Sequence, residues 1–74
     1  MSLKTKSTDE LVRIALAGGG FKLNASLKST DDLVRIALAT STHGNKLTFS
    51  GINKSTDELV RIALAGKGNI ILED

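Results

Sequence analysis

The chain has 74 residues, 41% hydrophobic and 24% charged, the balance of one small globular domain, which excludes a two-domain, disordered or fibrous protein. Cysteine is absent, so disulfide staples, thiolate metal sites and a cysteine nucleophile are excluded with it. Ten Lys plus Arg against eight Asp plus Glu leave +2, a weak field for drawing in a polyanion. No apolar run approaches the roughly 18 residues of a membrane span, and Met1 to Lys6 lacks the apolar core of a secretion signal. A soluble, cytoplasmic protein is the expectation.

One twelve-residue segment recurs along the chain: KSTDELVRIALA at 6–17, KSTDDLVRIALA at 28–39 and KSTDELVRIALA at 54–65. The offsets are 22 and 26 residues, the length of repeats that pair one helix with one strand. The single domain 1–74 is therefore divided into repeats of about 6–27, 28–53 and 54–74. Recent duplication, a consensus design and a shared packing constraint all produce such near-identity.

Each segment opens with a helix start. Ser7 with Glu10, Ser29 with Asp32 and Ser55 with Glu58 have capping-box spacing, the middle one imperfect because Asp replaces Glu. Along the first helix Leu11, Val12, Ile14, Ala15 and Leu16 cover an arc of about 200° at 100° per residue. A helix lying on a sheet alone needs about half of that, so the flanks are expected to touch neighbouring helices. Gly18 and Gly66 follow the apolar stretch where a left-handed cap belongs, and Thr40 stands there in the middle copy. Arg13, Arg35 and Arg61, each four residues after an Asp, read as an exposed ridge of pairs within helices.

After each helix comes a run with period-2 alternation: Phe21, Leu23 and Ala25, then Leu47, Phe49 and Gly51, then Ile70 and Leu72. These predict three strands, and Met1 with Leu3 align as a further N-terminal strand. Strands joined through helices of this length must be parallel with right-handed crossovers. The expected fold is an α/β solenoid: one parallel sheet, all helices on one face, and Lys22, Asn24, Lys46 and Thr48 on the polar opposite face.

Leu47-Thr48-Phe49-Ser50-Gly51-Ile52-Asn53 followed by Leu59, Ile62 and Leu64 resembles the strand, turn and helix pattern of the larger, helix-bearing leucine-rich repeats. The family's asparagine ladder would fall at Ser26 and Ile52, so that feature is missing. The resemblance implies a curved single sheet whose polar face recognises another macromolecule.

No arrangement of residues points to an enzyme, a cofactor or a metal. Gly18-Gly19-Gly20 and Gly66-Lys67-Gly68 follow helix C-termini, where outward carbonyls repel the phosphates that a glycine cradle would hold. His43 is the only histidine and has no acid near it in sequence to orient it. Nucleic-acid binding is disfavoured because Phe21 and Phe49, the only aromatic residues, fall on the core parity and leave no stacking platform. An anion rim at Lys6, Lys28 and Lys54, beside three helix N-termini, is an alternative function. The main expectation is a non-enzymatic interaction or scaffold module that self-associates as a homo-oligomer, a dimer being expected. At its uncapped repeat ends either strand edges would pair between copies or apolar helix flanks would dock, burying Leu11, Val12 and Leu16 or their counterparts Leu59, Val60 and Leu64. A further protein is a second expected partner, and a designed repeat chain without an evolved function is the remaining alternative.

Overall fold

The computed structural model describes residues 7–42 and 45–73. Among them the order is α1 (Thr8–Leu16), β1 (Lys22–Asn24), α2 (Thr30–Ser41), β2 (Leu47–Ser50), α3 (Thr56–Gly66) and β3 (Ile70–Leu72). The strands form one parallel sheet in the order β1-β2-β3. Register sets Leu23 opposite Phe49 and Phe49 opposite Leu72. The chain is thus an α/β protein, as its sequence predicts. The N-terminal strand expected at Met1 and Leu3 lies outside the described residues.

The capping signals act as their chemistry requires. Ser7 and Ser55 each accept from the backbone N–H of the glutamate three residues on, and Glu10 and Glu58 return the bond to the Ser backbone N–H. Ser29 accepts from the Asp32 N–H, while among the described residues the shorter Asp side chain makes no return bond. Each box supplies partners for N–H groups that a helix start leaves open.

Helix ends show where local reading falls short. At α1 the N–H groups of Gly18 and Gly19 donate to Ala15 and Ile14, the paired bonds of a Schellman ending, with Gly18 at φ +92° as predicted. At α3 the left-handed residue is Lys67, at φ 50°, and Gly66 is the last helical residue. The expectation of a Gly66 cap is corrected by packing: a methyl on Gly66 would overlap Cγ1 of Ile70 and lie 3.1 Å from its Cβ. Glycine is needed there for close approach. Gly66→Ala, which ordinarily stabilises a helix by about 0.5–1 kcal/mol, should instead destabilise by roughly 1–3 kcal/mol as an overpacked core does. Urea unfolding of that variant alone and together with Ile70→Ala checks this, since trimming Ile70 removes the overlapping Cγ1 and should make the Gly66→Ala cost smaller.

α2 runs through Thr40 to Ser41, two residues beyond the shared segment. Thr40 is buried and its hydroxyl donates to the Asn45 carbonyl at 3.4 Å. After β1 a short 3-10 turn, Ala25–Leu27, is started by Asn24, whose Oδ1 accepts from the N–H and the hydroxyl of Ser26. Sequence alternation alone would have continued the strand there.

The core lies where the apolar parity of the strands meets the helices. Leu23, Leu47 and Phe49 are buried from the sheet, Leu33, Ile36 and Ala37 from α2, and Leu11, Ala15 and Ile62 from the outer helices. α2 packs against both α1 and α3 and accordingly buries more of its surface than either. At about 1.5–3 kcal/mol for each fully buried aliphatic or aromatic side chain, these few residues supply most of the fold's cohesion. One core expectation is corrected in β3: Leu72 is 37% exposed, and only Ile70 packs on the cluster.

Candidate functional site

The helices are joined by polar pairs that recur between neighbouring helices. Arg35 Nη2 meets Asp9 Oδ1 at 2.6 Å, from α2 to α1, and Arg61 Nη2 meets Asp31 Oδ1 at 3.2 Å, from α3 to α2. The sequence predicted pairs within each helix; the bridges run between helices instead, because side-by-side packing brings the first-turn Asp of one helix beside the Arg of the next. Both pairs are more than half exposed, so each is worth about 0–1 kcal/mol, and their effect is on the relative placement of the helices. Among the described residues Arg13 and Asp57, the same two positions at the outer ends, make no ion pair.

A second link strengthens the α2–α3 junction. The Thr30 hydroxyl donates to Glu58 Oε2 at 2.5 Å, while Oε1 of the same carboxylate accepts from the Ser55 N–H and hydroxyl. The Thr30 bond first, then the Ser55 bonds and the nearby Lys54 charge, hold Glu58 down at about 2 against an ordinary value of 4.5. Because the folded-state value is the lower one, ionised Glu58 favours the folded chain above about pH 4.5, and that contribution disappears as pH falls toward about 2. Thr30→Val should return the Glu58 midpoint a large part of the way to 4.5. A carboxyl-carbon NMR titration reads this directly, and an unmoved midpoint would assign the whole shift to the cap.

Comparing one position through the three helices locates the surfaces left open. Ala15 and Ala37 are buried but Ala63 is exposed; Val12 and Val34 are half-buried but Val60 is 49% exposed; Thr30 is buried but Thr56 is exposed. These positions are covered in α1 and α2 and bare in α3. The reverse holds for another set: Ile36 and Ile62 are buried and Ile14 only half-buried, and Ala39 is buried while Ala17 is exposed. That set is covered in α2 and α3 and bare in α1, where Glu10, Arg13, Ile14 and Ala17 line an open groove of about 350 Å³.

The residues expected to dock therefore divide. Leu11 is fully buried inside the chain, a correction to its expected place on a docking flank: its position faces both the sheet and α2. Val12 is half-buried. Leu16 and Leu64 are 49% and 72% exposed, and with Leu38 at 50% they form a row of bare leucines at one position of all three helices. Leu59 is half-buried and Val60 exposed on α3. Sequence reasoning missed Ile14 and Ala17, whose exposure depends on the direction in which the helices stack.

On the polar parity of the sheet, Lys22 Nζ pairs with Glu73 at 2.9 Å and Lys46 Nζ donates to the Gly68 carbonyl at 2.9 Å. Asn24 is engaged by the 3-10 turn, and Thr48 is half-buried between Lys22 and Ile71 in the ladder. Of the Lys rim, Lys28 Nζ donates to the Thr8 hydroxyl at 3.3 Å, Lys54 is half-buried beside Glu58, and Lys6 lies outside the described residues, as does His43. The N-cap serines occupy part of the N–H array that an anion would use. Among the described residues no three of His, Cys, Asp and Glu come together as a ligand set, and no helix is long and apolar enough to cross a membrane. No protein-family model matches the chain, and neither a curated protein nor a solved structure matches it.

Proposed function

We propose that the chain is a non-enzymatic interaction module built as a short α/β solenoid, its helices stacked on one face of the sheet, which self-associates through the end surfaces of that stack. The observation behind this reading is the exposure at equivalent positions: α3 leaves bare the Ala, Val and Thr that α1 and α2 cover with the helix after them. An apolar surface already used twice inside the molecule is suited to a third use. The polar sheet parity, with Lys22, Asn24, Lys46 and Thr48, is then the surface left for a further protein.

Light scattering after size exclusion, over a hundredfold dilution, tests the reading. A mass above 7.8 kDa that falls on dilution supports it, and a constant monomer mass overturns it. Alanine at the four sheet residues should leave that assembly intact. The alternative of an anion rim draws less support, because Lys28 is hydrogen-bonded within the chain and Lys54 lies near the Glu58 carboxylate; it would require binding that weakens steeply with salt.

A further inference from the structure

The geometry points to head-to-tail assembly, in which the outer surface of α3 in one copy seats in the groove on α1 of the next, with Asp57 of one copy pairing to Arg13 of the other. This rests on the self-association proposed above and adds its direction and its contacts. Residues 54–65 and 6–17 are identical in sequence, so α3 carries the same Thr, Asp, Val and Ala that α1 presents to α2. The groove on α1 likewise carries the same Glu, Arg, Ile and Ala that α3 presents to α2. A junction of α3 with α1 of a second copy therefore reuses contacts the molecule already makes. Asp57 with Arg13 would repeat Asp9 with Arg35 and Asp31 with Arg61, Thr56 with Glu10 would repeat Thr30 with Glu58, and Val60 would enter the groove at Ile14 and Ala17.

Charge selects this direction over the symmetric ones. Joining two α3 surfaces with the helices parallel sets Asp57 against Asp57, and joining two α1 grooves in the same way sets Arg13 against Arg13, like charges that oppose both; an antiparallel joint repeats neither of the Asp–Arg pairs made inside the chain. The head-to-tail junction is heterologous, so it does not close at two copies and continues into a ring or a filament. The expected dimer is then only its first step.

Two charge reversals test the assignment by sedimentation velocity. Arg13→Asp leaves acid on both end surfaces and Asp57→Arg leaves base on both, so each variant alone should sediment as a monomer where the wild type is assembled. Mixed in equal amounts, each variant's ends complement the other's, and the heavier species should return. Because both positions are exposed and without ion pairs among the described residues, restored assembly also reports that both variants are folded; Arg13→Glu with Asp57→Lys serves as a second pair. Either variant assembling alone like wild type, or folded variants that stay monomeric when mixed, overturns the head-to-tail contact. Monomeric wild type throughout overturns self-association itself.

Discussion

Phe49→Ala is expected to abolish the cooperative unfolding transition at room temperature. Phe49 is fully buried on β2, the middle strand, with Leu23 and Leu72 as its register partners on either side. Removing a buried phenyl ring costs about 3–5 kcal/mol, and a core in a domain of this size rarely supplies more than about 3–5 kcal/mol in total. The two magnitudes meet, so little native population should remain. Phe49→Leu keeps most of the volume and should cost about 1–1.5 kcal/mol, leaving a shifted but cooperative transition. Urea titrations followed by circular dichroism at one fixed protein concentration make the comparison, because the proposed assembly would add apparent stability by mass action. A Phe49→Ala chain that unfolded cooperatively near the wild-type midpoint would mean that the core is centred elsewhere.

Val60→Asp is expected to weaken self-association at least a hundredfold while leaving the fold in place. Val60 is 49% exposed, so inside one chain the substitution removes little packing, about 0.5 kcal/mol or less for a surface change. At the proposed junction it places an unpaired carboxylate against Ile14 and Ala17 and beside Asp57. Desolvating a charge with no partner in an interface costs several kcal/mol, and about 2.7 kcal/mol already corresponds to a hundredfold. Val34→Asp is the informative contrast: the equivalent residue in α2 packs against the core of the same chain, so that change should lower the melting temperature itself. Dilution series for both variants, with melting curves beside them, separate the two effects.

Much of the fold is legible in the sequence because its signals are local. Ser at the cap with Glu three residues later fixes the start of α1 and α3, and the alternation of Leu47 and Phe49 with Thr48 and Ser50 fixes the strand parity. What escaped reading depends on contacts between elements. Gly66 looks like a cap until Ile70 is packed on it, and the continuation of α2 through Thr40 depends on Asn45, five residues beyond. The Arg rows were read within helices because helical spacing is visible in sequence and lateral stacking is not.

The candidate surface was legible to the same degree. The breadth of the apolar arc foretold exposed flanks, and Val60 and Leu64 are bare. Direction was not foretold: with three near-identical helices, only the contacts say which flank faces forward. Once Arg35 is seen on Asp9, Leu11 is placed in the core and Ile14 with Ala17 on the open side. The two ends are then unlike each other, which periodicity alone could not reveal.

The head-to-tail contact is tested most directly by a paramagnetic label on one copy read out on another. The chain has no cysteine, so Lys67→Cys on the exposed C-terminal end of α3 takes a single nitroxide. Nitroxide-tagged protein at natural isotope abundance, mixed with ¹⁵N-labelled wild type near the concentration at which assembly begins, should broaden the amides of α1 around Arg13 to Gly18 and spare the outer face of α3. Broadening centred on α3, or none at a concentration where the mass shows assembly, would contradict head-to-tail stacking.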